Sequence, residues 1–72
     1  MTNKKKVWSG STTCDICGDK INHELYDGRT KNGSWATMCS LCFICSGTGL
    51  GTGNGQKYIK NSKTKQFEKV EG

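Results

Sequence analysis

From Ile21 to Tyr26 the chain reads as an extended stretch that leads into a hairpin. Two dipeptides compete for the reversal, Asp27-Gly28 and Asn32-Gly33, both suited to a type I′ turn. Reversal at Asn32-Gly33 leaves strands of similar length, about Glu24–Thr30 and Ser34–Met38, with Gly28 as a bulge. From Cys39 to about Ser46 the pattern changes. Leu41, Phe43 and Ile44 are apolar and Cys39, Cys42 and Cys45 recur every three residues, which predicts a short helix with its sulfurs on one face. Gly47 is the expected stop. A second hairpin is predicted over Gln56–Asn61 and Lys65–Val70, turning at Asn61-Ser62-Lys63-Thr64.

Between the helix and the second hairpin, glycine fills every second position from Gly47 to Gly55. If extended, such a segment has one face without side chains. It lacks the spacing and the preceding strand of a dinucleotide or P-loop site. It reads as a flexible or loosely packed connection, with a backbone cradle for phosphate or nucleic acid, or a packing role, as the alternatives. The expected organisation is a mobile basic arm over 1–12 and one domain over 13–72. That domain divides into a module at 13–46, a connector at 47–55 and a terminal hairpin at 56–72. Trp8, the one large apolar residue of the arm, is expected to fold back on the core.

Two Cys-x-x-Cys pairs, Cys14/Cys17 and Cys39/Cys42, are separated by 21 residues. Four thiolates in two such pairs suit a tetrahedral zinc ion, although the separation lies just outside the usual range of about 15–20. The two-residue gap lets both sulfurs of a pair reach one ion, and Gly18 can take the positive φ of the turn. Ile16 is expected to pack under the metal. Two disulfides, or free buried thiols, are the alternatives. Five cysteines are an odd count, which argues against a closed disulfide framework and for a reducing, cytoplasmic setting. Cys45 reads as a small buried hydrophobe. His23-Glu24 reads as a surface pair, or one that supports the site from behind.

Composition makes the metal part of the fold. Leu, Ile, Val and Phe number 11 of 72 residues, too few for a self-sufficient core. Structural zinc contributes about 10–16 kcal/mol of apparent binding free energy in small finger peptides. The expectation is one structural Zn²⁺ and a chain largely unfolded without it. A closed shell of four cysteines leaves no open position for water, and no His-Glu-x-x-His or deaminase signature is present, so no enzymatic role is expected.

The formal charge is +5. Lys4, Lys5 and Lys6 lie at one end, and Lys57, Lys60, Lys63, Lys65 and Lys69 face Glu68 and Glu71 at the other. Between them, residues 14–45 carry Lys20, Arg29 and Lys31 against Asp15, Asp19, Glu24 and Asp27. The zinc module is therefore mildly acidic, more so once four thiolates hold the ion, and the basic charge sits on its flanks. Lysines interleaved with Tyr58 and Phe67 fit a surface that meets phosphates and stacks bases, with Tyr58 as the stacking residue. The plainer reading, to which the scarcity of apolar residues points, has Tyr58, Phe67 and Val70 cover the core and leaves the lysines facing solvent. No apolar stretch follows the basic Met1–Lys6, and no run approaches a membrane span, so neither a signal peptide nor a membrane role is expected.

Four stretches carry a resemblance: Thr13–Gly18 (TCDICG), Tyr26–Thr30 (YDGRT), Trp35–Cys42 (WATMCSLC) and Gly49–Tyr58 (GLGTGNGQKY). Together they resemble a group of small phage-encoded zinc-finger proteins, over most of the chain from Thr13 onward. The resemblance implies zinc ligands at Cys14, Cys17, Cys39 and Cys42, a viral origin and residence in bacterial cytoplasm. Most such proteins have no assigned function, so it implies no activity. Ser40 stands where a proline is often found, which weakens the start of the helix.

The expected fold is a small zinc-stabilised α+β domain of treble-clef type, in which a knuckle and a β-hairpin lead to a short helix, with the second hairpin appended. A zinc ribbon, with two knuckles and no helix, is the alternative. Two roles follow: binding nucleic acid through the basic flanks, or occupying a host protein through anchors such as Trp8, Trp35, Phe43 or Leu50.

Overall fold

The computed structural model describes residues 7–72; Lys4, Lys5 and Lys6 lie outside the described residues. Four strands and one helix follow in the order β1 (Glu24–Arg29), β2 (Trp35–Met38), α1 (Ser40–Ser46), β3 (Gly55–Lys60) and β4 (Phe67–Glu71). The strands form one antiparallel sheet in the spatial order β2-β1-β3-β4. Two hairpins thus lie side by side, joined through β1 and β3, and the protein is a small α+β fold. The helix that begins within the second Cys pair sets aside the helix-free ribbon.

The first reversal falls at Asn32-Gly33. Gly33 takes φ +97° there, and Thr30 N–H donates to the Ser34 carbonyl at 2.8 Å. Gly28 is not a bulge. Its strand pairs without interruption from Tyr26↔Met38 to Arg29↔Trp35, and Gly28 also pairs with Gly55 on the other side. A Cβ on Gly28 would lie 3.0 Å from the Asn54 carbonyl oxygen and 3.2 Å from Gly55 Cα, so close backbone approach explains this glycine. The sheet's irregularity falls instead between β3 and β4, at Lys57/Tyr58.

Strand alternation splits the apolar residues between two faces. Leu25 pairs with Tyr58, and these pack with Phe67, Ile21 and Cys14 as the main core. Trp8 covers this cluster, its ring centroid 5.3 Å from that of Tyr58. The amino-terminal segment is docked from Val7 onward: Val7 bridges Glu68, and Trp8 N–H donates to the Phe67 carbonyl at 2.8 Å. The arm expected over 1–12 is therefore part of the fold in its second half. On the opposite face, Tyr26 pairs with Met38, and the Phe43 ring of α1 stacks on Tyr26 at 4.2 Å and 10°.

The glycine-rich segment is neither extended nor loose. Gly49, Gly51 and Gly53 have positive φ, and the chain turns back so that Gly51 bridges Gly55. It is tied to the end of β1 by Arg29 N–H to the Asn54 carbonyl at 2.7 Å and Thr48 N–H to the Arg29 carbonyl at 3.1 Å. The amides of Gly47, Thr48, Gly51, Asn54 and Gly55 all donate within the fold. A phosphate cradle would need those donors free. Gly47 ends α1 at φ −76°, an ordinary value, with its N–H on the Phe43 carbonyl. The need for glycine there is steric, because a Cβ would sit 2.6 Å from Phe43 Cδ1.

Candidate metal centre

The first pair sits in a tight turn. Gly18 N–H donates to the Cys14 carbonyl and Cys14 N–H to the Asp19 carbonyl, both at 2.9 Å, and Gly18 takes φ +82°. The second pair straddles the start of α1: Cys39 is the N-cap, with no side-chain hydrogen bond, and Cys42 lies in the first turn. A cysteine at this position leaves its sulfur free to meet other ligands, which a capping Ser or Asp would not. Main-chain pairing brings the two halves together. Asp15 N–H donates to the Thr37 carbonyl at 2.7 Å, and Thr37 N–H donates to Asp15 Oδ2 at 2.9 Å.

The four sulfurs of Cys14, Cys17, Cys39 and Cys42 all lie within 4.8 Å of one another. All five cysteines are free, and Cys17 Sγ stands 3.9 Å from Cys39 Sγ. A disulfide needs about 2.05 Å, whereas ligands 2.3 Å from a tetrahedral zinc lie about 3.8 Å apart. The donor set and its spacing therefore fit one divalent ion. Cys45 is not in the group and is exposed. Six residues of helix carry it well round from Cys39, so the three-residue spacing does not give one shared face. Ile16, expected beneath the metal, is about half exposed. His23 is exposed and belongs to no metal-ligating group among the described residues.

Electrostatics points the same way. Burial pushes the Cys14 thiol up, but backbone N–H groups of Cys17, Cys39 and Ile16 outweigh it and bring the thiol down to about 6. Burial and the three neighbouring sulfurs push Cys42 well above the usual thiol range. A backbone hydrogen bond from Asp19 lowers Cys17, yet the Cys14 and Cys39 sulfurs and desolvation leave it raised. Four sulfurs this close do not all ionise unaided; a divalent cation supplies the missing charge.

The structure disperses the basic residues singled out from the sequence. Lys57 lies on the helix side of the sheet, 5.9 Å from the Tyr26 ring centroid. Lys69 pairs with Tyr58 in the sheet, and Lys63 sits in the β3–β4 turn. Lys60 and Lys65 line one cavity together with His23. Tyr58 is 1% exposed and belongs to the core. It has no free face for a base, which overturns its stacking role; a core this poor in apolar residues takes the ring inside. Sequence reasoning missed the Asp15–Thr37 pairing and the approach of His23 to the second hairpin. Both depend on contacts between distant segments.

Comparison with protein-family models, curated proteins and solved structures returns no match. No helix among the described residues is long and apolar enough to cross a membrane.

Proposed function

We propose that this chain is a structural-zinc finger of treble-clef type that binds nucleic acid through its basic carboxy-terminal hairpin. The zinc part rests on the four clustered sulfurs. They would hold the ion with a closed shell, and its role would be to fasten the first knuckle to the start of α1 rather than to activate water. The role is one of binding, not catalysis. The treble-clef description rests on the order of knuckle, hairpin and helix, with one ligand pair at the helix start.

The nucleic-acid part rests on one observation: the β3–β4 hairpin carries Lys57, Lys60, Lys63, Lys65 and Lys69 against Glu68 and Glu71. Non-specific binding to a phosphate backbone needs such charge and weakens as salt rises. Buried Tyr58 removes base stacking from this reading and leaves phosphate contact as its main term. A phage origin belongs to the same proposal and rests on the resemblance carried by Thr13–Gly18, Tyr26–Thr30, Trp35–Cys42 and Gly49–Tyr58.

A second reading, capture of a host protein, is favoured by α1. Leu41 and Ile44 are about three-quarters exposed, and Trp35 and Ile16 about half. Ile16, Trp35, Ala36 and Cys45 also line a shared groove. Exposed apolar residues on so small a chain mark contact surface.

The test is capture by the tagged, zinc-loaded protein from bacterial lysate, with and without nuclease, at low and moderate salt. Recovery of nucleic acid that is lost as salt rises supports the first reading. One protein that survives both nuclease and salt overturns it in favour of the second.

A further inference from the structure

The turn between β3 and β4 is built rather than loose. Asn61 N–H donates to the Gln66 carbonyl at 2.7 Å, and Lys65 N–H donates back to the Asn61 carbonyl at 2.8 Å. The Asn61 side-chain oxygen accepts from the amides of Lys63 and Thr64 at 2.8 and 3.2 Å, while its Nδ2 donates to Glu68 at 3.3 Å. Lys65 has φ +65°, a region that non-glycine residues rarely take. At the end of β3, Lys60 N–H donates to the His23 carbonyl at 2.9 Å, which draws the segment before β1 alongside.

These contacts border an open surface pocket of about 280 Å³ lined by Asn22, His23, Lys60, Ser62 and Lys65, of which only Lys60 is partly buried. The lining residues are two lysines, a histidine, a serine and an asparagine, with no acidic residue among them. Two acids on the neighbouring strands have partners of their own: Glu24 accepts from the Tyr26 hydroxyl, and Glu68 accepts from Asn61. No hydrogen bond or ion pair among the described residues holds the Lys60 or Lys65 side chain. Two like charges bordering one pocket favour an anion between them. The pocket lies at the lower edge of the roughly 300–1,000 Å³ of small-molecule sites and has room for one anionic group. Lysine ammoniums act as point charges from several directions, which suits a tetrahedral oxyanion better than the planar fork that arginine offers a carboxylate.

We propose that this cavity is a subsite for a single phosphate group. The phosphate would come from a nucleic-acid strand, in which case the inference rests on the function proposed above, or from free phosphate. The hydrogen-bonded turn holds Ser62 and Lys65 in position before the ligand arrives, so little ordering remains for binding to impose.

The test follows backbone amides by nuclear magnetic resonance as inorganic phosphate is added to the zinc-loaded protein, with chloride at matched ionic strength as control. Saturable shifts at Asn22, His23, Lys60, Ser62 and Lys65 are expected. Lys60→Gln and Lys65→Asn should each weaken binding about threefold to tenfold, the discount for exposure included. Asn is chosen because it tolerates the left-handed backbone at residue 65. Lys63→Gln, in the same turn but outside the cavity, should leave binding unchanged. Absence of saturable shifts, or equal effects of all three substitutions in variants that keep their zinc, overturns the subsite.

A second arm adds a single-stranded oligonucleotide. Competition with phosphate at the same amides, with the salt slope reduced by about 1 in the Lys60→Gln/Lys65→Asn double variant, identifies the strand as the source. Phosphate binding with no oligonucleotide binding keeps the subsite, assigns it to free phosphate and sinks the nucleic-acid reading. Oligonucleotide binding indifferent to both substitutions, with no phosphate shifts, overturns the subsite alone.

Discussion

Asp15 and Thr37 hold each other by two reciprocal hydrogen bonds, backbone to backbone at 2.7 Å and backbone to carboxylate at 2.9 Å. Asp15 lies between the first two cysteines, and Thr37 lies two residues before the third. The pair therefore ties the two halves of the metal centre to each other in the folded chain. Thr37 is buried, so its N–H has no water to turn to if the carboxylate is lost. Asp15→Ala is expected to cost about 1 kcal/mol, because a hydrogen bond to a charged group is lost while its exposed side tempers the effect. Metal affinity and folding are linked, so the same loss appears as roughly fivefold weaker zinc binding. Asp15→Asn keeps an acceptor oxygen and should lose less. Chelator competition on the three proteins measures both numbers.

The cysteines divide four to one. Serine at any of Cys14, Cys17, Cys39 or Cys42 should abolish stoichiometric zinc and with it the fold, because the core that remains is only Ile21, Leu25, Tyr58 and Phe67 with their neighbours. Cys45→Ser should keep about one zinc per chain and an unchanged circular dichroism spectrum, since this thiol is exposed and outside the sulfur group. Zinc content after gel filtration, read beside the spectrum, separates the two classes. Retention of the fold in excess chelator would contradict the role given to the metal.

What was legible in the sequence was local. The Cys-x-x-Cys spacing, the Asn32-Gly33 reversal, the helix after Cys39 and the second hairpin all follow from residues a few positions apart, and all are found. The features that escaped depend on which distant segments meet. Gly28 looks like a bulge until Gly55 is seen beside it, and the alternating glycines look like a bare strand until the turn from Gly51 to Gly55 closes. Tyr58 among lysines admits both a nucleic-acid surface and a place in the core, and the register Leu25↔Tyr58 decides for the core. Composition contained that answer in outline, since a chain with so few apolar residues spends its aromatics inside.

Glycines 28 and 55 give a graded test of close packing. A Cβ at Gly55 would lie 2.7 Å from the Gly49 carbonyl oxygen, which is backbone and cannot swing away. At Gly28 the nearest contacts, 3.0 and 3.2 Å, are also backbone but less severe. Gly55→Ala should therefore destabilise the zinc-loaded protein by about 2–3 kcal/mol and Gly28→Ala by about 1 kcal/mol, within the range of overpacked sites. Gly33→Ala meets open space but a φ of +97°, so its cost is backbone strain alone, about 1 kcal/mol. Denaturant midpoints in the order Gly55→Ala lowest, then the other two, support the docked glycine-rich segment. Equal and small effects would return it to a loose connection.

Tyr26 makes the fold sensitive to alkali. Burial, the hydrogen bond to Glu24 and the nearby charges of Glu24 and Glu71 push its hydroxyl from 10 up to about 12. The folded state thus holds a proton that the unfolded chain releases above pH 10. The corresponding stability is complete below pH 10 and is lost as pH rises through 12. A shift of this size is worth about 2–3 kcal/mol. Tyr26→Phe keeps the stack on Phe43 and removes the titrating group, so its stability should be lower near neutrality by the lost hydrogen bond, about 1 kcal/mol. Between pH 10 and 12 its stability should fall less steeply than that of the native protein. Denaturation of both zinc-loaded proteins across this range decides the matter. Parallel curves would mean that Tyr26 carries none of the alkaline loss, which would pass to the other buried tyrosine, Tyr58, whose hydroxyl burial also pushes up.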